Sequence, residues 1–321
     1  MEYTDHRMQG DVTMTSPSRR RNLLLVTLVA AAMLLGTGCT RAARPASPVR
    51  VAGETVARAA TWRIAAAGDI SPPRLGPQRD TAHLVTSLGV NRVLALGDLQ
   101  YPSGGLADFR RYYGPTWGHF RRETEPAPGN HEYLTSGARG YLAYWGATAR
   151  PHGHTYYSFD LGGWHLISLD SNIARGAGSA QIRWLHADLA ATSSRCVLAY
   201  WHAPRFSSGR YHGNDPGEAT FWSELYARRA DLVLNGHEHN YERFAPQTPG
   251  ASASSTGIRE FVVGTGGNGS YPFAGAQPNS QRRFTGQYGV LVLTLGPTSY
   301  SWRYVEVGGR VLDSGGPVSC H

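Results

Sequence analysis

The sequence predicts a single α/β domain over residues 61–321, and two features of the chain indicate this fold class. From Trp62 onward, short apolar runs alternate with polar stretches that suit helices, a pattern typical of a parallel sheet with crossover helices. After Phe261 the pattern becomes β-rich, which predicts an antiparallel meander that closes the domain. No segment recurs at the period of a solenoid or a propeller, so one large domain with its own core is expected.

The predicted buried strands share a second feature, because a polar residue follows each of them. The strands are expected at residues 64–67, 93–96, 166–169, 197–200 and 232–234, and the polar residues are Asp69, Asp98, Asp170, His202 and His237. Ligands of open α/β sheets bind beyond the carboxyl ends of the strands. These side chains are therefore expected to line one cleft.

Helices are predicted at residues 81–88, 180–190 and 219–229. The second follows Gly176 and Gly178, and the third follows Asp215-Pro216-Gly217, which are helix-start and turn signals. The closing meander is predicted at residues 290–295, 299–307 and 311–312, joined by Gly-Pro and Gly-Gly turns.

The first 60 residues are typical of an export signal followed by a tether. A basic segment at 18–21 precedes an apolar run at 23–35, which is shorter than the roughly 20 residues that cross a bilayer. The run ends in Leu-Gly-Thr-Gly-Cys, which is similar to a lipobox with Cys39 as the lipidated residue. The paired arginines before the run also resemble a twin-arginine signal. We expect a signal peptide of lipoprotein type at 1–39, a flexible linker at 40–60, and an exported protein that is secreted or anchored at the cell surface.

Charge and cysteine content exclude several classes. The net charge is +8 and every basic residue other than histidine is Arg, but the arginines are scattered, so no basic stripe supports nucleic-acid binding. Three cysteines without a CxxC spacing exclude a disulfide scaffold and a cysteine zinc site. Cys196 and Cys320 can pair in an oxidising compartment, although the apolar run that Cys196 opens favours a buried thiol.

Five short segments in a fixed order carry the candidate chemistry. They are Gly68-Asp69, Gly97-Asp98-Leu99-Gln100-Tyr101, Gly129-Asn130-His131-Glu132, Ala199-Tyr200-Trp201-His202 and Gly236-His237-Glu238-His239. Each segment alone is weak, since a His or Asp after a strand is often a hydrogen-bonded loop residue. All five in order, each after an apolar run or a glycine turn, indicate a metal site.

Together these segments resemble the purple acid phosphatase branch of the calcineurin-like metallophosphoesterases over about residues 63–268. The resemblance implies a four-layer αββα sandwich and a dinuclear metal centre. Carried over position by position, it implies the metal ligands Asp69, Asp98, Tyr101, Asn130, His202, His237 and His239.

The residue types suit the two metals that the resemblance implies. Asp98 would bridge the two cations, which reduces their repulsion. Asp69, Asp98, Tyr101 and His239 would hold iron(III), because ionising a tyrosine near neutral pH takes a strong Lewis acid. Asp98 with the neutral ligands Asn130, His202 and His237 would hold divalent zinc, iron or manganese.

The resemblance also implies hydrolysis of phosphate monoesters by a metal-bound hydroxide, with inorganic phosphate as product. His131 would contact the phosphate and His212 would donate a proton to the leaving alkoxide, although His212 also reads as a solvated loop residue. The alternatives are a phosphodiesterase that uses the same metals and a non-catalytic, metal-dependent anion-binding lipoprotein.

Several residues near the motifs carry weaker expectations. Glu132, Glu238 and Asp170 are predicted to orient ligand imidazoles, since a metal-bound His usually donates its other N–H to an oxygen. Ser71 stands where the family commonly has glycine, and we expect only a local backbone change or an extra hydroxyl there. Residues 264–269 resemble a glycine loop that the family places near its site, and a plain β-turn fits them equally.

Overall fold

The computed structural model describes residues 61–321. The predicted signal peptide, with Cys39, and the predicted linker therefore lie outside the described residues. Within residues 61–321, no helix combines the length and the apolar composition that a bilayer-crossing segment needs.

The described chain alternates strands and helices before it becomes β-rich. In chain order the strands are β1 (Trp62–Ala67), β2 (Arg92–Leu96), β3 (Thr124–Ala127), β4 (Tyr157–Leu161), β5 (Trp164–Ser168), β6 (Cys196–Tyr200), β7 (Leu232–Asn235), β8 (Tyr241–Phe244), β9 (Arg259–Val263), β10 (Ser280–Phe284), β11 (Gly289–Leu295), β12 (Ser299–Glu306) and β13 (Val311–Ser319). The α-helices are α1 (Pro77–Leu88), α2 (Leu106–Asp108), α3 (Asn130–Tyr133), α4 (Arg139–Trp145), α5 (Ala180–Ala191) and α6 (Ala219–Ala227).

The strands form two mixed sheets. The first sheet has the order β13-β12-β11-β1-β2-β3, in which β1, β2 and β3 are parallel. The second has the order β10-β8-β9-β7-β6-β5-β4, in which β5, β6, β7 and β9 are parallel. The predicted runs at 64–67 and 93–96 thus belong to one sheet, and the other three belong to the second.

Side chains of the second sheet alternate between two hydrophobic cores. On β6, Leu198 and Tyr200 join the large core that also contains the strands of the first sheet, whereas Val197 and Ala199 join a core with α5 and α6. Because successive side chains of a strand point to opposite faces, the large core lies between the sheets and α5 and α6 cover the outside. Buried residues of α1 pack with the first sheet. The predicted layered sandwich is confirmed.

The predicted strands and helices are present, and their bounds differ by at most four residues, except that the strand predicted at 311–312 extends over Val311–Ser319. The strands that the sequence did not reveal lack a long apolar run. β3 contains Pro126 and Glu125 and forms an edge of the first sheet, where a proline costs no ladder hydrogen bond. β10 is also an edge strand, and its residues are exposed or half-buried.

Cys196 and Cys320 form a disulfide, so the prediction of a buried thiol at Cys196 is wrong. Cys196 opens β6 of the second sheet, and Cys320 follows β13 of the first. Both residues are buried, as the apolar run indicated. The pairing of residues 124 positions apart depends on how the two sheets meet, which local sequence does not show.

A buried histidine joins the outer strand of the second sheet to its covering helix. His165 on β5 lies 2.8 Å from Asp160 Oδ1 of β4 and 2.8 Å from Asp188 Oδ2 of α5. Burial alone would lower the pKa of His165, but the hydrogen bonds and charges of Asp188 and Asp160 outweigh burial and raise it. Protonated His165 therefore bridges the two carboxylates.

We expect His165→Gln to lower the free energy of unfolding mainly at acidic pH. The folded pKa lies above the unfolded value of 6.5, so the contribution is complete below that pH and is lost as the pH rises through the folded pKa. A hydrogen bond to a charged group contributes about 1.5–3 kcal/mol, so we expect the free energy of unfolding to fall by about that amount at pH 5. Urea unfolding at pH 5 and pH 9 measures it, with exposed His152→Gln as the control. An equal loss at both pH values would contradict the assignment.

Candidate metal centre

The candidate ligands lie beyond the carboxyl ends of strands from both sheets. Asp69 follows β1, Asp98 follows β2 and Asn130 follows β3, while His202 follows β6 and His237 follows β7. Each set of strands is parallel, so their carboxyl ends share an edge. The two edges meet, and the loops bring these side chains into contact.

Close backbone approach makes this meeting possible. A Cβ on Gly97 would lie 2.7 Å from His202 Nδ1, and a Cβ on Gly236 would lie 2.6 Å from Asp69 Oδ2. The backbones of Asp69, Asp98 and His237 have φ values of 58°, 49° and 70°, which are left-handed and cost about 1–3 kcal/mol each outside glycine. Three strained residues at one place are typical of a functional site.

One group of candidate ligands surrounds the Tyr101 hydroxyl. Tyr101 Oη lies 2.9 Å from Asp69 Oδ1, 2.9 Å from Asp98 Oδ2 and 3.0 Å from His239 Nε2. His239 Nε2 is also 3.2 Å from Asp69 Oδ1. The hydroxyl has one proton and cannot donate it to all of these acceptors, whereas a cation at the centre would satisfy them together.

A second group surrounds His202 Nε2. This atom lies 3.1 Å from Asn130 Oδ1, 3.1 Å from His237 Nδ1 and 3.2 Å from Asp98 Oδ2. Atoms that bind one ion at about 2.1 Å are separated by about 3.0–3.4 Å in octahedral or tetrahedral geometry. Asp98, His202 and His237 are accordingly close enough to share a metal ion. Asp98 Oδ2 belongs to both groups, in the position of a bridge.

Electrostatics favour positive charge in this cluster. Burial alone would lower the pKa of His202, but Asp98 outweighs burial and raises it to about 10. His202 Nδ1 donates to the Leu96 carbonyl at 2.9 Å, so the added proton would sit on Nε2, where a metal ion would replace it. Burial and the nearby His202 lower the pKa of His237 to about 3, which keeps His237 neutral and able to bind a metal.

Tyr101 can ionise to a phenolate here only if a cation lies beside its hydroxyl. Tyr101 is buried, and burial together with the charges of Asp69 and Asp98 raises its pKa well above 10. Asp69 and Asp98 are 0% and 2% exposed, so their charges are not screened by water. The donor set of two carboxylates, a phenol, an amide and three imidazoles fits a pair of metal ions.

The two candidate catalytic histidines lie at the edge of the cluster. His131 donates from Nδ1 to the Pro102 carbonyl and places Nε2 3.8 Å from Asp98 Oδ2. His212 is exposed and stacks on His237, with ring centroids 3.8 Å apart. His212 thus lies beside a candidate ligand, and its role as a proton donor stays a prediction.

Glu132, Glu238 and Asp170 accept no hydrogen bond from the candidate ligand imidazoles, so the prediction that they orient these rings is wrong. Glu132 accepts hydrogen bonds from the backbone N–H groups of Leu99, Gln100 and Gly129. Asp170 accepts from the Tyr133 hydroxyl and from Thr155 and Asn172. The Leu96 carbonyl, and not a carboxylate, accepts the hydrogen bond from His202 Nδ1. These carboxylates fix loop backbone, which itself has no partner in a strand or helix.

Glu238 is part of a set of buried glutamates beneath the loop that carries His212. Glu238 Oε1 accepts from the His212 and Gly213 N–H groups at 2.7 and 2.8 Å. Glu242 accepts from Ser208 N at 2.7 Å, and Glu260 accepts from Arg205 N and Phe206 N at 3.1 and 3.3 Å. We name residues 205–213 the histidine loop. Sequence analysis missed Glu242 and Glu260, because their partners in this loop lie 34 and 54–55 residues away in the chain.

The departure at Ser71 leaves the local backbone in place. Ser71 N donates to the Leu99 carbonyl at 3.1 Å, and its own carbonyl accepts from Tyr101 N at 2.9 Å. The glycine loop at 264–269 also reaches the site, because Asn268 N donates to the Asp69 carbonyl at 2.9 Å. A Cβ on Gly264 would lie 2.7 Å from Asp69 Oδ2, so this loop packs directly against a candidate ligand.

This fold, with polar loops from two sheets around a candidate dinuclear site, is that of a metallophosphoesterase. A sequence model of the calcineurin-like phosphoesterase family matches residues 63–241, which is more than half of the chain. The chain therefore belongs to the calcineurin-like phosphoesterase family.

Within this family the chain is similar to purple acid phosphatases, as its motifs predicted. It is 31% identical to Purple acid phosphatase 21 of Arabidopsis thaliana over 196 residues, which cover 54% of this chain and 43% of that relative. It thus spans less than half the length of this curated relative. The solved structure of purple acid phosphatase PPD1 from yellow lupin seeds matches with a TM-score of 0.66 at 19% identity, over 80% of this chain and 53% of that chain.

The same fold occurs in a protein described by a different role. GAP50, the anchor in the inner membrane complex of Plasmodium, matches with a TM-score of 0.65 at 15% identity. The match covers 81% of this chain and 89% of that chain. At this level of identity the likeness concerns the fold alone.

We expect the purified protein to retain about two metal ions per chain, and Asp98→Ala to lose most of both because Asp98 Oδ2 touches both ligand groups. Asn130→Ala should lose chiefly one ion. Elemental analysis after dialysis measures both, with exposed His83→Ala as the control. Full metal content in Asp98→Ala would contradict a bridging role.

Proposed function

We propose that this protein hydrolyses phosphate monoesters at a dinuclear metal centre and releases inorganic phosphate. The observation that carries the proposal is the shared position of Asp98 Oδ2, 2.9 Å from Tyr101 Oη in one ligand group and 3.2 Å from His202 Nε2 in the other. This arrangement suits two adjacent cations joined by one carboxylate oxygen.

The two ligand groups differ in charge, which favours different metals. Asp69, Asp98, Tyr101 and His239 would hold iron(III), since a phenol whose pKa is raised by its surroundings ionises only beside a strong Lewis acid. Asp98, Asn130, His202 and His237 would hold a divalent zinc, iron or manganese ion. When bound, the pair would supply an activated water and positive charge for the phosphoryl group.

The histidines at the edge of the cluster would handle substrate and proton. His131 is held by the Pro102 carbonyl, so that Nε2 faces the cleft, where its protonated form would donate a hydrogen bond to a phosphate oxygen. His212 stacks on His237 and would donate a proton to the departing alkoxide. The Glu238 carboxylate holds the His212 backbone, so the donor is placed before substrate binds.

The proposed location is outside the cytoplasm. The disulfide between Cys196 and Cys320 suits an oxidising compartment, in agreement with the export signal expected at residues 1–39. Membrane association would then depend on lipidation of Cys39, and no basic stripe in the sequence suggests a nucleic-acid partner.

Turnover of para-nitrophenyl phosphate and its bis ester by the metal-loaded protein tests the activity. The proposal predicts faster hydrolysis of the monoester and loss of activity in Asp98→Ala. Faster hydrolysis of the bis ester would favour a phosphodiesterase that uses the same metals. Failure to hydrolyse either ester would favour a non-catalytic anion-binding protein and reject the proposal.

We expect Glu238→Ala to act on the reaction through His212. An alkoxide that leaves without a proton is costly, so His212→Ala should slow alkyl esters by about 10²-fold or more and aryl esters less. Glu238→Ala should show the same selectivity to a smaller extent, because it releases the His212 and Gly213 N–H groups.

Glu238→Gln is the matched control, since its amide oxygen can still accept both hydrogen bonds, and it should keep most of the alkyl activity. In the His212→Ala background, Glu238→Ala should change the alkyl-to-aryl ratio no further. A further change in that ratio, or equal loss on both ester types, would reject the positioning role.

A further inference from the structure

Two tyrosines form an aromatic surface at the opening of the metal centre that the proposed reaction does not use. Tyr271 stacks on the candidate ligand His239, with ring centroids 3.8 Å apart and planes 9° apart. Tyr211 meets Tyr271 edge to face at 4.8 Å. We name Tyr211 and Tyr271 the aromatic wall. It begins against a candidate ligand and ends at Tyr211, whose side chain is 62% exposed.

The wall stands beside the proposed proton donor. Tyr211 precedes His212 in the histidine loop, and the His212 ring lies 5.9 Å from the Tyr271 ring and 3.8 Å from His237. The alcohol part of a phosphate ester must pass the proton donor as it leaves. The wall therefore borders the space that the leaving group would occupy.

Hydrogen bonds hold both parts of the wall in place from behind. Tyr271 N donates to the His239 carbonyl at 2.9 Å, and the Tyr271 carbonyl accepts from Thr285 Oγ1 at 2.7 Å. The histidine loop is bonded to this segment as well, since Arg210 N donates to the Pro272 carbonyl at 3.0 Å. The buried glutamates anchor the same loop to the sheet. A surface fixed in this way loses little entropy when a ring binds to it.

Three exposed apolar side chains lie on segments that follow strands leading to candidate ligands. Within residues 61–321, the large apolar residues that are exposed are Leu75, Leu134, Tyr211, Val307 and Val311. Leu75, Leu134 and Tyr211 lie on chain segments that follow β1, β3 and β6, the strands that lead to candidate ligands. An exposed apolar surface beside polar groups is typical of a ligand site.

We propose that the aromatic wall binds a flat aromatic ring in the alcohol part of the substrate, so that the preferred substrates are phosphate monoesters that carry such a ring. This inference rests on the proposed phosphatase function. A ring stacked on an aromatic side chain should give about a tenfold preference over an ester of similar size without a ring.

The test compares kcat/KM of native protein, Tyr211→Ala and Tyr211→Phe on adenosine monophosphate, phenyl phosphate and glycerol phosphate. Adenosine monophosphate and glycerol phosphate both release an alkoxide, so they differ in the ring and not in their need for a proton. We expect Tyr211→Ala to lower kcat/KM on the nucleotide by about tenfold, mostly through KM, and to leave glycerol phosphate unchanged. Tyr211→Phe should behave as native, because it keeps the ring.

The phenyl ester shows where the ring binds. Loss on phenyl phosphate alone would place the bound ring next to the phosphorus, loss on the nucleotide alone would place it farther out, and both results support the wall. Displacement of His212 by the substitution would instead slow both alkyl esters, glycerol phosphate included, more than phenyl phosphate. That pattern would overturn the aromatic wall. Tyr112→Ala, whose ring lies beside the Arg111 guanidinium and is not part of the aromatic wall, should change kcat/KM on none of the three substrates.

Equal loss on all three esters in Tyr211→Ala, or no loss on any, would overturn the aromatic wall while the phosphatase function stands. Absence of hydrolysis of all three esters by the native metal-loaded protein would overturn the phosphatase function and the wall together. The two failures are therefore distinguishable in one set of measurements.

Discussion

The buried Asp98 carboxylate is the group on which the rest of the site depends. It is 2% exposed and lies within 3.2 Å of both Tyr101 and His202. A buried charge is costly unless opposite charge surrounds it, and Asp98 accordingly raises the pKa of the buried His202. Two metal ions, one on each side of Asp98, would supply that positive charge. The groups around Tyr101 and His202 would then be the ligands of the two ions.

The fold supplies this arrangement by joining the ends of two sheets. Strand ends from one sheet provide Asp69, Asp98 and Asn130, and those from the other provide His202 and His237, so no single element carries the site. Because the ligands stand on loops, these loops must be held rigid. Loop backbone lacks the ladder hydrogen bonds of a sheet, so other groups must bind its N–H groups. Buried carboxylates meet that need by accepting from backbone N–H groups, and the disulfide links the two sheets at a separate point.

Much of this could be predicted from local sequence, and the remainder depended on distant contacts. Asp98 and His202 follow apolar runs that read as strands, so their convergence followed from the parallel-sheet rule. The role of Glu238 did not, because its partner His212 is 26 residues away and donates from its backbone. Tyr271 likewise has no local signal, since its stacking on His239 arises only when two loops meet. Local sequence offered the Cys196–Cys320 pairing but favoured a buried thiol for the same reason.

The central claim is that two cations share Asp98, and diffraction from crystals of the metal-loaded protein tests it most directly. Anomalous difference maps collected at the iron and zinc absorption edges should show two peaks about 3.5–4 Å apart, with Asp98 Oδ2 between them. One peak should contact Tyr101 and the other Asn130. A single peak, or two peaks that do not share Asp98, would contradict the account.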